Sequence, residues 1–260
     1  MKRLSINNNI KNKIPALIVF MVIFLLWQMA SSFEFIPKFM LPSPISVLYV
    51  FTSDYNLLIT NLTTTLFEAI AGLLVGIFLG FLIAFLMDKF KIIYKAFYPI
   101  LIISQTVPTI AIAPILVLFL GYGLFPKITL VALCCFFPIA ISFLSGFESP
   151  SIDYMNLLKT MGANKNQIFI YIKLPFSLKF FCSGLKISVS YAFVAAVVSE
   201  WLGGISGLGV YMIRAKKSYA FDKMFAVLLL ICIVSFIFIK IAELFEKCVI
   251  PWERKRQDDE

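Results

Sequence analysis

Residues 153–175 read DYMNLLKTMGANKNQIFIYIKLP, and the fold turns on how this stretch is taken. It is polar enough to stand in water, yet it lies in the middle of a chain that is otherwise strongly apolar. Tyr154, Leu157, Leu158 and Met161 fall at i, i+3, i+4 and i+7, which is one face of a helix. Asp153, Asn156 and Thr160 lie on the other face. Gly162 ends that helix, because a residue without Cβ enters the left-handed conformation at no steric cost. Asn164, with Gln167 three residues on, reads as the cap of a second helix. Pro175 is expected to limit that second helix, since the residue before a proline avoids helical geometry. The stretch therefore reads as helix, glycine turn, helix: a knuckle outside a bilayer.

The segments on either side are membrane-like. Of 260 residues, 61% are hydrophobic and 14% charged, against roughly half and about a quarter in soluble domains. Outward from the knuckle, apolar spans are read at about 126–147 and 180–202, then at 94–120, 61–87 and 14–33 on one side and 224–247 on the other. Each has about the 20 residues that cross a hydrocarbon core. The run from Ile14 is too long for a secretion signal and carries no evident cleavage site. Span 94–120 contains Pro99, Pro108 and Pro114, so it is expected to be bent or broken. Span 61–87 carries Gly72, Gly76 and Gly80, whose spacing lets another helix approach closely. Between spans, EFIPKFMLPSP with its clustered prolines is expected to exclude a helix, leaving 34–60 as an external linker. WLGGISGLG, residues 201–209, reads as a turn or re-entrant loop. Residues 1–13 are a basic arm and 251–260 a charged tail.

Charge sets the orientation. With the amino terminus inside, sixteen of the 23 Lys and Arg fall on cytoplasmic pieces and six on external ones, the bias expected of a membrane protein. That places the knuckle, and both termini, in the cytoplasm. The formal charge of +9 is dispersed between apolar segments, which suits a lipid surface and no nucleic acid.

Several chemistries are excluded. The chain has no His, which removes imidazole metal sites and His acid–base catalysis. Its five Cys form no C-x-x-C pair and read as packing residues. No G-x-x-x-x-G-K-[ST] loop occurs, so ATP cannot be bound in the P-loop manner. No carboxylate cluster suggests a membrane enzyme. No cofactor is expected. Four polar groups fall at membrane depth: Glu68, Gln105, Glu200 and Lys240. Such groups are costly and face a bundle interior or water. Gln105, beside the kinking Pro108, and Glu200, beside Trp201, are the candidates for a solute pathway, with a helix-end structural role as the other reading of Glu200. Glu68 and Lys240 read as lying near span ends or snorkelling. Arg214, Lys216 and Lys217 form an external basic cluster, either a solvated face or a seat for a soluble partner.

Gly162, Ile172 ten residues on, and Leu174-Pro175 together resemble the cytoplasmic signature loop of ABC-transporter permeases of the binding-protein-dependent importer type. The family loop opens Glu-Ala-Ala six residues before the glycine; here those positions are Asn156, Leu157 and Leu158. Leu41-Pro42-Ser43-Pro44 resembles the nitrate, sulfonate and thiamine-precursor branch. So does the run Thr106-Val107-Pro108 through Ala111, Pro114 and Phe119 to Gly121 and Gly123. Glu200-Trp201-Leu202-Gly203, Gly207 to Met212 and Pro251-Trp252 look most like permeases for pyrimidine precursors of thiamine. The resemblance implies an all-α, polytopic membrane protein with about six transmembrane helices in the type I ABC importer permease fold, a single domain over 14–250. It implies that loop 150–178 couples to the ATPase through Asn156, Leu157, Leu158, Lys159, Gly162, Ala163, Ile172, Leu174 and Pro175. The implied partners are an ABC ATPase subunit in two copies, an external substrate-binding protein and a second copy of this chain, in a bacterial plasma (inner) membrane. Sulfonate, taurine, nitrate and riboflavin importers share the scaffold. A self-sufficient secondary transporter would show an internal repeat, and none is evident.

Overall fold

The computed structural model describes residues 14–33 and 40–251; the arm at 1–13 and the tail from 252 lie outside them. Among the described residues the chain is helical without strands. In order the helices are α1 (Ile14–Ser32), α2 (Pro44–Ser53), α3 (Tyr55–Lys89), α4 (Lys91–Ser104), α5 (Thr109–Leu120), α6 (Leu124–Glu148), α7 (Ile152–Thr160), α8 (Lys165–Ile168), α9 (Leu174–Glu200), α10 (Leu208–Lys217) and α11 (Phe221–Val249). A wide π-type turn, Phe169–Lys173, joins α8 to α9, so residues 165–200 form one helical run. This run, α3, α6 and α11 are each long and apolar enough to cross a membrane.

Two expectations about prolines are corrected. The Pro42–Pro44 segment does not exclude a helix, because Pro44 opens one. Ser43 caps α2, its hydroxyl accepting from the Ser46 N–H at 3.1 Å. Proline is tolerated at the first helical position, where its missing N–H needs no partner. Pro44, Val47 and Val50 then bury one face of α2, so much of the expected linker 34–60 is helix. Pro175 likewise does not end the second helix of the knuckle. The turn before it bonds Leu174 N–H back to Phe169 C=O, one residue further than in an α-helix. That wider register relieves the clash a proline ring makes with the preceding turn. WLGGISGLG is a turn over 201–207, as expected, and its last two residues, Leu208 and Gly209, open α10.

The chain divides into two compact units, residues 1–59 with 211–230, and residues 60–210 with 231–260. In the first, the Trp27 indole donates to Pro42 C=O at 3.0 Å and the Ser31 hydroxyl to Leu41 C=O at 3.2 Å. Asp54, at the end of α2, accepts from Tyr211 Oη at 2.6 Å and Lys223 Nζ at 2.7 Å.

The second unit is assembled on α6. The glycines of α3 meet it at close range. A Cβ on Gly76 would lie 2.8 Å from Cys135 Cβ and 2.9 Å from Ala132 C=O; one on Gly80 would lie 2.8 Å from Ile139 Cγ2. The stripe is thus filled by the chain's own helix. On its other side α6 receives α9 through small residues, Gly146 against Ser177 and Gly184 against Ser142. Ser188 and Cys135 exchange side-chain-to-backbone bonds at 3.2 and 3.4 Å. Toward the knuckle these helices enclose Met87, Leu101, Ile139, Phe143 and Phe147. Phe169, from the π-type turn, enters this cluster with its ring 5.0 Å from Phe85 and 5.2 Å from Phe147. Lys173 pairs with Asp88 beside it. The knuckle is thereby fixed to the bundle.

The span with three prolines is two helices. α4 ends at Ser104 and α5 starts at Thr109, capped by Pro108, while Pro99 and Pro114 lie within the two halves.

Candidate functional site

The knuckle has an outward face and an inward root. α7 ends in paired bonds from Ala163 N–H to Leu158 C=O and from Gly162 N–H to Lys159 C=O, both 2.9 Å. Gly162 takes φ +84° there, a conformation that side chains other than glycine resist. Asn164 and Gln167 then cap α8 reciprocally at 2.8 and 2.9 Å. No residue of α7 is buried. Leu157 is 59% exposed and Met161 73%, with Tyr154 also exposed. Asn156, Lys159 and Gly162 are exposed beside them, and Leu158 and Ala163 are half-buried. Ile172 is buried and Leu174 and Pro175 half-buried, so these three belong to the root. The outward patch is apolar, unlike an ordinary solvated helix.

The broken span opens a cavity of about 340 Å³. Ser104, Gln105 and Pro108 line it at the break; Phe137 and Pro138 of α6 and Tyr191 of α9 line the other sides. A helix break inside a membrane protein is tolerated where protein or a watery cavity satisfies its backbone. No charged side chain lies among the lining residues. The structure thus brings Gln105 and Pro108 together and keeps Glu200 and Trp201 out of this lining.

Glu200 stands elsewhere, at the end of α9, and is 1% exposed. Its Oε1 accepts from Thr65 Oγ1 at 2.6 Å and its Oε2 from Gly209 N–H at 2.5 Å. Thr65 Oγ1 in turn accepts from Leu208 N–H at 2.9 Å, and Asn61 Oδ1 from Gly207 N–H at 2.8 Å. Three successive N–H groups at the start of α10 are thus held by three side chains, the helix-end role. These are donors that a helix start leaves without partners of its own. Gly207 is positioned where any Cβ would run into the Glu200 carboxylate. Trp201 opens the turn before the clamp, and a Cβ on Gly203 would run into the Tyr122 ring.

Two further readings change. Glu68 is neither near water nor snorkelling: it is wholly buried, and Lys127 Nζ donates to its Oε1 at 2.6 Å. Lys127, counted among external charges, is itself buried. A signal for this cluster was available, since Asn61, Thr65 and Glu68 continue the Gly72, Gly76, Gly80 face of α3 by helical spacing. Lys240 is exposed and pairs with Glu243 at 2.7 Å. Lys216 and Lys217 are exposed, with Arg214, in the last turn of α10.

Comparison with known proteins agrees with this anatomy. Residues 72–251 match the family described as binding-protein-dependent transport system inner membrane component. A probable ABC transporter permease protein of Haemophilus influenzae is 36% identical over 85% of this chain and 90% of its own length. The formylaminopyrimidine transport permease protein ThiX of Halalkalibacterium halodurans is 33% identical over 91% and 95%. A crystal structure of an amino acid ABC transporter with histidines superposes with TM-score 0.65 at 17% identity, over 76% of this chain and 97% of that one. The chain belongs to the family of inner-membrane components of binding-protein-dependent transport systems: it is a multi-pass permease of the ABC importer type, a transport component and not an enzyme.

Proposed function

We propose that this permease imports an uncharged nitrogen heterocycle, a pyrimidine precursor of thiamine, through the cavity at the α4–α5 break. The observation that carries the reading is the chemistry of that cavity. An amide, hydroxyls, two prolines and two aromatic rings line it, with no charged side chain. Pockets of this size suit small molecules, and a few placed polar groups orient them. Sulfonate, taurine or nitrate would meet no cation there, and an unpaired charge in such a site is costly. The likeness to a formylaminopyrimidine permease points the same way. Gln105 and Pro108 shape the site; Glu200 and Trp201 serve the pathway from the clamp at the end of α9.

The remaining parts follow the family plan. A separate ATPase subunit, in two copies, docks on the knuckle, with Asn156, Leu157, Leu158, Lys159 and Gly162 outward and Ala163, Ile172, Leu174 and Pro175 at its root. Two copies of the permease complete the pathway in a bacterial inner membrane, with knuckle and termini cytoplasmic. An external binding protein delivers the solute, and Arg214, Lys216 and Lys217 provide a basic seat for it.

The test is competition in cells expressing the full transporter. Uptake of labelled formylaminopyrimidine should be blocked by related aminopyrimidines and untouched by taurine or nitrate. Gln105→Leu should lower uptake several-fold with the complex intact. Competition by taurine or nitrate, with no effect of aminopyrimidines, would refute the substrate reading.

A further inference from the structure

The buried cluster behind the clamp contains two carboxylates and one ammonium. Glu68 of α3 is 0% exposed, Glu200 of α9 is 1% exposed, and Lys127 of α6 is buried beside them. Thr65 and Glu68 lie one turn apart on α3, and Thr65 is bonded to Glu200. Glu68 thus lies in the same buried cluster as Glu200, one turn along α3 from the Thr65 that bonds it. The charged groups acting on Glu200 are Glu68 and Lys127; those acting on Glu68 are Lys127 and Glu200. The other neighbours are uncharged: the Thr65 hydroxyl and the N–H of Gly209.

Two details do not fit a fully ionised cluster. Two carboxylates against one ammonium leave an uncompensated buried charge, which a membrane protein interior strongly disfavours. Glu68 Oε2, though buried, has no hydrogen-bond partner, whereas buried polar atoms are nearly always satisfied. One proton removes both faults. Placed on Glu68 Oε2, it is donated to a Glu200 oxygen, while Glu68 Oε1 keeps accepting from Lys127 and Glu200 keeps Thr65 and Gly209. Every polar atom then has a partner, and the charges of Lys127 and Glu200 cancel. Two carboxyls sharing one proton is the usual outcome when like charges are forced together.

We propose that Glu68 and Glu200 form a proton-binding site that holds one shared proton, and that this proton keeps Glu200 in place as the clamp on Gly209. The proton comes from solution and returns to it; no other group changes state. Loss of the proton puts two buried negative charges in one cluster, and the bonds from Thr65 Oγ1 and Gly209 N–H to Glu200 are the ones that move with Glu200. The site is independent of the solute reading and stands on this cluster alone.

Infrared spectroscopy of the purified full chain tests it through the carbonyl band of protonated carboxyl groups. Near neutral pH, exposed carboxylates are ionised, so the wild type should show one such band. Glu68→Gln should abolish it and leave the fold intact, because the amide N–H₂ donates to Glu200 and its C=O accepts from Lys127. Lys127→Met should roughly double the band, since neutrality then needs a proton on each carboxyl. A wild type with no band, a band that survives in Glu68→Gln, or a Lys127→Met band no larger than the wild type's would overturn the proposal. The wild-type spectrum is decisive even if a variant does not fold.

Discussion

At the scale of single residues, the strongest constraints come from places where no side chain fits or where one partner fixes another's state. Gly76 sits against Cys135 and Ala132 of α6, so Gly76→Leu would force the helices apart. Overpacking of this kind costs about 1–3 kcal/mol, to be read as a lower thermal midpoint for the purified permease. Gly162 is different. A Cβ there meets nothing within 4 Å, so the penalty of Gly162→Ala is purely conformational, about 1–2 kcal/mol. The expected outcome is an inserted, folded permease whose knuckle no longer holds its angle, seen as reduced retention of the ATPase. Asp54 links stability to pH. Hydrogen bonds from Lys223 and then Tyr211 hold its carboxyl below the ordinary value. Burial, and then the bond to Asp54, push the Tyr211 phenol up. A depressed carboxyl pKa gives stability that is present above the ordinary carboxylate value and lost as pH falls through the depressed one. Acid should therefore loosen the Asp54–Lys223–Tyr211 contacts, and Asp54→Asn should flatten the acid limb of a thermal-stability profile. An acid limb identical in the two proteins would remove Asp54 from the account.

At the scale of elements, the knuckle owes its usefulness to how it is mounted. Phe169 anchors the π-type turn between Phe85 and Phe147. Phe169→Ala should cost about 1–2 kcal/mol, because the ring is half-buried, and should weaken uptake more than membrane insertion. This mounting was only partly legible in the sequence. The Gly162 stop and the Asn164–Gln167 cap could be read because each depends on a few adjacent residues. The break at Pro108 followed from the missing N–H of a single residue. What could not be read was how one turn compensates for another. Pro175 looked like a stop because its relief, a one-residue register shift in the turn before it, is invisible to spacing rules. Pro44 looked like a helix breaker because its place at a first helical position depends on Ser43. The burial of Glu68 and Lys127 was hidden for a different reason: their pairing spans α3 and α6 and has no local signature. The polar continuation of the glycine face was the one available hint.

At the scale of the whole molecule, the bundle has a division of labour. One end of α6 and α9 carries the knuckle, the opposite end carries the clamp on 207–209, and the cavity at the α4–α5 break lies along the same two helices. An element that changes state at one end can thus bias the other through packed helices. The proposed sidedness is tested at the knuckle. A cysteine placed at Asn164, which is exposed, should react with an impermeant thiol reagent from the cytoplasmic side alone. The measurement that bears most directly on the central claim, that this permease moves solute only when an ATPase drives its knuckle, is uptake into vesicles holding the complete transporter, with and without ATP on the knuckle side. Wild type should accumulate labelled aminopyrimidine only with ATP, and Leu157→Asp, inserted to the same level, should accumulate none, because it puts a charge into an apolar docking face. Accumulation without ATP, or full uptake by Leu157→Asp, would contradict the account.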